Sequence, residues 1–311
     1  MARWDPVRME RSTRDIIAVA IWTEIQEGRG GPHGGVFVSL KHLPDNLIEH
    51  LNQWLPPKYL DHYGGFDMTQ FLPDLTRSAV ESVPGCHFFN GGIKIDSGCH
   101  TNLPGLYAAG EVTAGIHGGN RLSGNAFTEM VVWGHRAAVS MAEDIRKGID
   151  PQEIDQGQVD HYQSKMSDCL NRKSGANAEL LRDQLMKTAW DHVGIVRNRE
   201  LLSQAQSRMK DLQKAGEAVC LPYKGKIYNR SWSRALEFKN MADNLTCIVE
   251  AALLREESRG AHYRKDFPQT DNQHWVMNQI LCRKDGRPAV KKVPPCMTSI
   301  RPAPEIKGYG I

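Results

Sequence analysis

The segment Ile116-His117-Gly118-Gly119-Asn120-Arg121-Leu122-Ser123-Gly124-Asn125-Ala126 lies between a short apolar run and a long, mostly apolar stretch. Glycines let a ligand approach the backbone closely, and the N–H groups at a helix start favour an anion. Arginine can hold a carboxylate through two parallel hydrogen bonds, and His117 adds a further donor. Together these features predict a ligand site here in preference to a glycine-rich turn with a solvated arginine.

The sequence on both sides of this segment predicts an α/β arrangement. Leu103–Glu111 has the pattern of a turn, a short buried strand and a tight exit. Apolar residues then recur from Gly124 to about Ile145, which predicts a buried helix that ends at Lys147-Gly148. Upstream, the glycine-rich loop 28–35 precedes a predicted strand over 36–40. The order of strand, glycine-rich loop and buried helix is typical of α/β proteins.

Residues 151–258 predict an antiparallel helical bundle. Asp150-Pro151-Gln152-Glu153 is the expected start of its first helix, since Asp can cap and Pro suits the first turn. The residues after 260 are rich in proline and predict loop and strand that pack on the rest of the chain. The four apolar series at helical spacing are Val159, Tyr162, Met166 and Leu170; Leu181, Leu185 and Trp190; Leu201, Ala205, Met209 and Leu212; and Phe238, Met241, Leu245, Ile248 and Ala252.

The overall composition excludes several classes of protein. The 311 residues carry a formal net charge of +3, which is too balanced for a dedicated nucleic-acid binder. No apolar stretch reaches the roughly 18 residues that a transmembrane helix needs, and the N-terminal residues lack the apolar core of a signal peptide. The seven cysteines are scattered and form no CxxC pair, so we expect neither a disulfide framework nor a four-cysteine zinc site, and a reducing cytoplasm is the default.

A second cluster, Pro84–Ile93, joins His87 to the glycine pair Gly91-Gly92 and predicts another close backbone approach. Cys86-His87 and Cys99-His100 combine metal-ligating residue types, but adjacent residues of a strand point to opposite faces, which disfavours zinc. On composition, Glu10–Asp15 is interpreted as a charged helix start, and Glu256–Arg264 as a charged helix end with a glycine stop. No GxGxxG, GxSxG, Walker A or HExxH motif occurs in the sequence.

Taken in order, six segments resemble the C-terminal half of flavoproteins of the succinate dehydrogenase and fumarate reductase family. The resemblance covers nearly the whole chain, and the motifs are specific as a set. It implies an FAD cofactor and hydride transfer between FAD and a C4-dicarboxylate substrate. The segments are Ser12–Ile17, His87–Ile93, Gly105–Glu111, His117–Leu122, His192–Arg197 and Glu257–His262.

The resemblance also implies roles for single positions. Arg14 matches the arginine that delivers a proton to the substrate carbon, and His87 and Arg121 match the pair that holds a substrate carboxylate. Arginine is a weak acid, so a proton shuttle at that position needs a carboxylate relay, which the family places upstream. No metal is implied. The FAD-binding positions implied by the resemblance are Gly91, Gly92, Glu111, Asn125, Ala126 and Phe127.

The resulting fold prediction is an α/β flavin-binding segment plus a C-terminal helical bundle domain. We expect a partial substrate-capping domain over residues 1–80 and the C-terminal part of an FAD-binding domain over 81–150. The helical bundle domain is predicted over 151–260. An extended tail over 261–311 is predicted to pack on the rest.

The resemblance starts in the middle of the family's capping domain. We therefore expect an oxidoreductase that is incomplete without an N-terminal FAD-binding half, which a second chain would supply. An iron–sulfur subunit is a further expected partner. The expected location is cytoplasmic, peripheral at the inner face of a membrane through partner subunits.

Two alternatives remain open. The first is an L-aspartate oxidase-like flavoenzyme, which shares the histidine, arginine and Glu-Ser-Arg-Gly elements. The second is a non-catalytic fragment that docks an iron–sulfur protein. Retention of Arg14, His87 and Arg121 favours an enzyme, because a docking module needs none of them.

Overall fold

A computed structural model describes residues 1–48, 78–148, 153–284 and 287–297. The chain separates into two units, Met1–Cys86 and His87–Ile311. The division into four segments that the sequence predicts stays a prediction.

Among the described residues of the first unit, an α-helix precedes a two-stranded ribbon. The helix is α1 (Arg14–Glu24), and the antiparallel strands are β1 (Val36–Val38) and β2 (Val80–Ser82). The strand predicted over 36–40 is therefore confirmed but shorter. Oε1 of Glu81 accepts hydrogen bonds from the N–H groups of His33 at 2.9 Å and Gly35 at 2.8 Å. These bonds fix the glycine-rich loop against the ribbon.

The second unit is mostly helical. Among its described residues, β3 and β4 form a parallel pair, and β5 and β6 form an antiparallel hairpin in which Leu281 faces Val290. Its elements are α2 (Asn125–Lys147), α3 (Gln156–Asn171), α4 (Ala178–Thr188), β3 (Val196–Arg197), α5 (Arg199–Glu217), α6 (Arg230–Leu254), β4 (Tyr263–Arg264), β5 (Asn278–Lys284) and β6 (Arg287–Val293).

Helices α3 to α6 form the predicted bundle around one apolar core. Leu202, Met209, Phe238 and Val249 are at most 1% exposed in its centre. A Cβ at Gly216 would lie 2.5 Å from the Phe238 ring, so α5 and α6 pack closely there. The apolar series predicted at helical spacing supply half of the buried residues of this core.

Each bundle helix starts at a side-chain cap. Hydrogen bonds from backbone N–H groups two or three residues later in the chain are accepted by the side-chain oxygens of Asp155, Asn177, Asn198 and Asn229. The expected helix start at Asp150–Glu153 is wrong, because α3 begins at Gln156 and Asp155 caps it. Residues 150–152 themselves lie outside the described residues.

Helix α2 has almost the predicted bounds, with Gly148 at its C-terminus, but the prediction that it is buried is wrong. Of the residues of this helix, only Glu129 and Ala137 are buried. The segment before α2 covers its inner side, where Cys99 donates to the Trp133 carbonyl and Tyr107 donates to Asp144. An outer stripe at i, i+4, i+7 spacing stays exposed: Phe127, Val131, Gly134, Ala138, Met141 and Ile145.

The short buried strand predicted within Leu103–Glu111 is also wrong. Its single pairing is an isolated bridge between His100 and Tyr107, and Leu106 is 47% exposed. An extended segment becomes a strand only when neighbouring strands satisfy its backbone groups. Among the described residues, those groups pair instead with the adjacent turn, as in Ala108 N–H to Cys99 O at 3.0 Å.

The residues after α6 pack against its C-terminal end. The Arg255 guanidinium donates to the Trp275 carbonyl at 2.9 Å, and the Gln279 amide donates to the Ala251 carbonyl at 3.1 Å. These contacts hold the β5–β6 hairpin on the bundle. No helix among the described residues has the length and apolar character needed to cross a membrane.

Candidate functional site

The phenyl ring of Phe88 is the centre of the candidate site in the second unit. The Arg121 guanidinium carbon lies 4.4 Å above the Phe88 ring centre, and the His117 ring meets Phe88 edge-on at 5.2 Å. An arginine stacked on an aromatic face keeps its hydrogen-bonding edge free for a planar anion. The loop predicted to bind a ligand therefore faces the His87–Ile93 segment.

Backbone contacts fix the position of Phe88. The N–H of Phe89 donates to Oε1 of Glu111 at 2.9 Å. Ile93 then pairs with the next segment through its N–H to Val112 O at 2.8 Å and Ala114 N–H to its own carbonyl at 3.0 Å. Glu111, predicted from the resemblance to bind FAD, thus also holds the segment that carries Phe88.

Both side chains that contact this ring carry a buried nitrogen without a hydrogen-bond partner among the described residues, His117 Nε2 and Arg121 Nε. Asn90 Oδ1, two residues along the chain from Phe88, and both carboxylate oxygens of Glu129 on α2 are in the same condition. Leaving such a group unsatisfied costs about 1–3 kcal/mol. The unpartnered nitrogens of His117 and Arg121 indicate that polar groups from a ligand or another polypeptide complete the site.

The two predicted glycines of this segment differ in their surroundings. A Cβ at Gly92 would lie 2.2 Å from Val112 O, so this glycine is required by packing within the chain itself. Gly91 faces open space, with no heavy atom within 4 Å of an added Cβ. Of the pair, Gly91 has the room for a ligand.

The start of α2 is the remaining predicted cofactor contact. Helix α2 follows Gly124, whose φ is 77°, and its N-cap makes no side-chain hydrogen bond, unlike the four bundle helices. Asn125 and Phe127 are exposed and Ala126 is partly buried. The positive end of the α2 dipole is therefore left open to an anionic or electron-rich group.

The predicted catalytic residues are distributed over both units. Arg14 is the first residue of α1, exposed, in the first unit. His87 and Arg121 are in the second unit, where exposed His87 immediately precedes Phe88. His117, named from the sequence as a further donor of the glycine-rich loop but given no role by the family resemblance, contacts the Phe88 ring in the same unit. All these assignments stay predictions.

The structure corrects the interpretation of the segment Glu256–Arg264. It is no charged helix end, because α6 ends at Leu254, and Glu257, Ser258 and Arg264 are 0% exposed. The Arg264 guanidinium donates to Asp266 at 2.7 Å and to the Ala252 carbonyl at 2.7 Å. The burial of these charges could not be read from composition, since it depends on what the tail places over them.

His262 lies half-buried in this segment with a neutral ring. The Arg197 guanidinium donates to His262 Nδ1 at 2.9 Å, so Nε2 carries the proton and faces the Arg255 carbonyl at 3.3 Å. Burial, followed by the nearby charge of Arg197, lowers the pKa of His262 to about 3.

His100 has the opposite environment. Its Nε2 lies 2.9 Å from Asp144 and its Nδ1 lies 3.0 Å from Asp96, while Tyr107 donates to Asp144 at 2.5 Å. Hydrogen bonds to Asp144 and then Asp96 raise the pKa of His100. The Tyr107 and His100 hydrogen bonds lower the pKa of Asp144 to about 2. His100 therefore links α2 to the preceding turn. The neighbouring residue, Cys99, is buried.

Comparison with known proteins agrees with this arrangement. Residues 3–127 match the family model of the FAD binding domain, which identifies the chain as part of an FAD-binding protein and confirms the predicted cofactor. Residues 182–309 match the model described as the fumarate reductase flavoprotein C-terminus.

Two relatives and one solved structure show similarity to the same kind of flavoprotein over most of the chain. The chain is 38% identical over 284 residues to a subunit of the CoM/CoB fumarate reductase of Methanothermobacter marburgensis, covering 91% of the chain and 49% of that protein. It is 32% identical over 270 residues to the L-aspartate oxidase of Pseudomonas aeruginosa, covering 86% of the chain and 45% of that enzyme. The solved structure of Mycobacterium smegmatis Sdh1 in complex with UQ1 superposes with a TM-score of 0.79 at 31% identity, covering 97% of the chain and 49% of that protein.

The chain belongs to the succinate dehydrogenase and fumarate reductase flavoprotein family, as the sequence motifs predicted. The predicted fold class, a flavin-binding segment followed by a helical domain, is confirmed with it. The chain spans about half the length of the curated relatives it matches: 49% of the Methanothermobacter protein and 45% of the Pseudomonas enzyme.

Proposed function

We propose that this chain supplies the dicarboxylate-binding part of a fumarate reductase or succinate dehydrogenase-type flavoenzyme. The single observation that carries the proposal is Arg121, stacked 4.4 Å above Phe88. Its Nη1 donates to the Leu122 carbonyl at 3.3 Å, and its buried Nε has no hydrogen-bond partner among the described residues. A guanidinium held in this way is ready to grip a carboxylate. His87, next to Phe88 in the chain, is the proposed second ligand of the substrate.

The residues present fit an FAD. The uncapped start of α2 offers N–H groups and a positive dipole end, and Gly91 offers open space. When bound, FAD supplies hydride acceptance and donation. The residues proposed to hold it are Gly91, Gly92, Glu111, Asn125, Ala126 and Phe127.

The substrate class follows from the donors. Two positive or donor side chains near one aromatic ring suit a small anion with a planar carboxylate, and fixing it would set the orientation of the reacting carbon. A C4-dicarboxylate satisfies these requirements. Arg14 is proposed, from the family resemblance, as the residue that delivers a proton to the substrate carbon.

The exposed stripe of α2 supports the proposal of a second polypeptide segment. Phe127, Val131 and Ile145 are 69%, 58% and 67% exposed along one face of a single helix. Contiguous apolar surface of this kind marks an interaction site. We propose that an N-terminal FAD-binding half covers it. The assembled enzyme would also bring an iron–sulfur partner and a peripheral place at the inner face of a membrane.

The test is a flavin absorbance spectrum of the purified chain with FAD, alone and together with the N-terminal half of a family member. Each sample is then titrated with fumarate, succinate and aspartate. Spectral shifts with fumarate or succinate would support the proposal. Shifts with aspartate alone would favour the alternative of an L-aspartate oxidase-like enzyme, for which the Pseudomonas relative is the supporting observation. Failure to bind FAD even with the added half would overturn the proposal and favour a docking fragment.

A further inference from the structure

A tight turn in the second unit touches the backbone of the loop that carries Arg121. Arg259 N–H donates to the His262 carbonyl at 2.8 Å, and His262 N–H donates to the Arg259 carbonyl at 3.1 Å. Gly260, at the tip, has a φ of +57°, a backbone conformation that residues other than glycine rarely adopt. The tip therefore projects as a narrow backbone edge without a side chain at Gly260.

This tip contacts Gly119 directly. Ala261 N–H donates to the Gly119 carbonyl at 2.8 Å. A Cβ added at Gly260 would lie 2.3 Å from the Gly119 oxygen, and one added at Gly119 would lie 3.2 Å from the Arg259 oxygen. Gly260 therefore has no room for a side chain against the Gly119 backbone, and the space for one at Gly119 is tight.

Buried charges hold the turn in place. The Glu257 carboxylate accepts from Arg259 at 2.8 and 2.9 Å and from the Asp271 N–H at 2.9 Å, and Arg255 lies 3.0 Å from it. Arg259 also donates to Asn272 Oδ1 at 2.9 Å. A fully satisfied buried network of this kind rigidifies the segment that it connects.

Gly119 lies two residues after His117 and two residues before Arg121. The side chains of both these residues contact the Phe88 ring. We propose that the turn Arg259–His262 is a positioning element that holds Gly119, and through it the guanidinium of Arg121, in the geometry that receives a substrate carboxylate. Gly260 and Arg259 are then positioning residues, with no contact of their own to the substrate. This inference rests on the proposed function for its consequence, but the mechanical part stands on the contacts themselves.

The first experiment is hydrogen–deuterium exchange on the full chain, comparing Gly260→Ala with Gly105→Ala. Gly105 is a matched control, since its φ is +78° but an added Cβ there meets open space. Gly260→Ala is expected to raise amide exchange at least tenfold in peptides covering 116–124, with no change in those covering α5 and α6. Unchanged exchange in 116–124 would overturn the positioning role.

A milder variant covers the case in which Gly260→Ala does not fold. Asn272→Ala removes the Asn272 oxygen from Arg259 and leaves the turn glycine in place. It is expected to raise exchange in the same peptides by a smaller factor. Exchange that stays at the wild-type level would contradict the proposal.

The second experiment measures succinate affinity of the FAD-loaded chain with the added N-terminal half. Gly260→Ala is expected to weaken succinate binding about tenfold relative to the Gly105→Ala control, while the FAD stoichiometry of the two variants stays equal. Equal succinate affinity in both variants would overturn the inference. If the wild type binds no dicarboxylate, the proposed function fails, and the exchange data still decide whether the turn holds the loop.

Discussion

Glu257 and Arg259 form a two-pronged ion pair: Nε and Nη2 of Arg259 lie 2.8 and 2.9 Å from the two carboxylate oxygens of Glu257, which is 0% exposed. Burying two charges costs about as much as their attraction returns, so such a pair adds little net stability. It does, however, favour one geometry over others. The pair lies beside the turn that contacts Gly119, so fixing its geometry also fixes that turn.

Glu257→Gln is expected to lower the free energy of unfolding by about 3–5 kcal/mol, because it leaves the guanidinium groups of Arg255 and Arg259 without their shared carboxylate. The neighbouring Glu256→Gln is a matched control. Glu256 pairs with Arg199 at 2.6 Å but is 43% exposed, so its loss should cost at most about 1 kcal/mol. Urea unfolding monitored by circular dichroism measures both, and equal losses would contradict the prediction.

His262 should make the protein sensitive to acid. Its pKa is depressed to about 3 in the folded state, whereas an unfolded histidine has a pKa of about 6.5. Its stabilisation is therefore complete above about pH 6.5 and falls by about 1.4 kcal/mol per pH unit below it, because the unfolded chain takes up a proton first. Unfolding free energies between pH 7 and 4 measure this slope.

The control for His262 is His262→Gln, since glutamine can accept from Arg197 and donate to the Arg255 carbonyl without titrating. This variant should lose stability less steeply with acid than the wild type. An unchanged slope would mean that His262 does not produce it.

His100 should act in the opposite direction. Hydrogen bonds to Asp144 and Asp96 raise its pKa in the folded state, so its stabilisation is complete below about pH 6.5 and is lost as the pH rises through the folded pKa. His100→Gln should flatten the stability profile between pH 6.5 and 8.5. His135→Gln, an exposed histidine on the same helix α2, should leave the profile as in the wild type. Melting temperatures across this range test the pair.

Arg121→Met should weaken fumarate or succinate binding by roughly 10- to 100-fold, the equivalent of about 1.5–3 kcal/mol for a charge-assisted hydrogen bond. Arg136→Met is the matched control, because Arg136 also stacks on an aromatic ring, 5.2 Å from the centre of Trp133, outside the candidate site. Isothermal titration of the FAD-loaded chain with the added N-terminal half compares the two. Equal affinities would remove Arg121 from the site.

The outer stripe of α2 should govern association. Val131→Glu places a charge in the stripe and is expected to weaken binding of an N-terminal half at least tenfold and to reduce self-association of the isolated chain. Val139→Glu makes the same change at a similarly exposed position, 44% against 58%, about a third of a turn away from the stripe. Analytical ultracentrifugation distinguishes the variants, and the idea fails if both behave alike.

The sequence predicted the helical bundle well because its signals are local. The apolar spacing at Ala205, Met209 and Phe238 acts within a few residues of the chain. Helix α2 shows the limit of the same reasoning. Its bounds follow from Gly124 and Gly148, but whether its apolar stripe is buried depends on which elements cover it.

The candidate site divides in the same way. The sequence located the loop with Arg121 and the segment with His87, and the family motifs assigned them to one kind of chemistry. The stacking of Arg121 and His117 on Phe88, and the need for Gly92 against Val112, appear only when distant segments meet.

By itself, then, the sequence determined the family, the FAD cofactor and the helical core, since motifs and periodicity are properties of neighbouring residues. The tertiary structure alone decided that Glu257 and Arg264 are buried, and that the turn at Gly260 contacts the loop at Gly119. Burial of a charge and contact between segments more than a hundred residues apart depend on desolvation and packing, which composition and spacing do not encode.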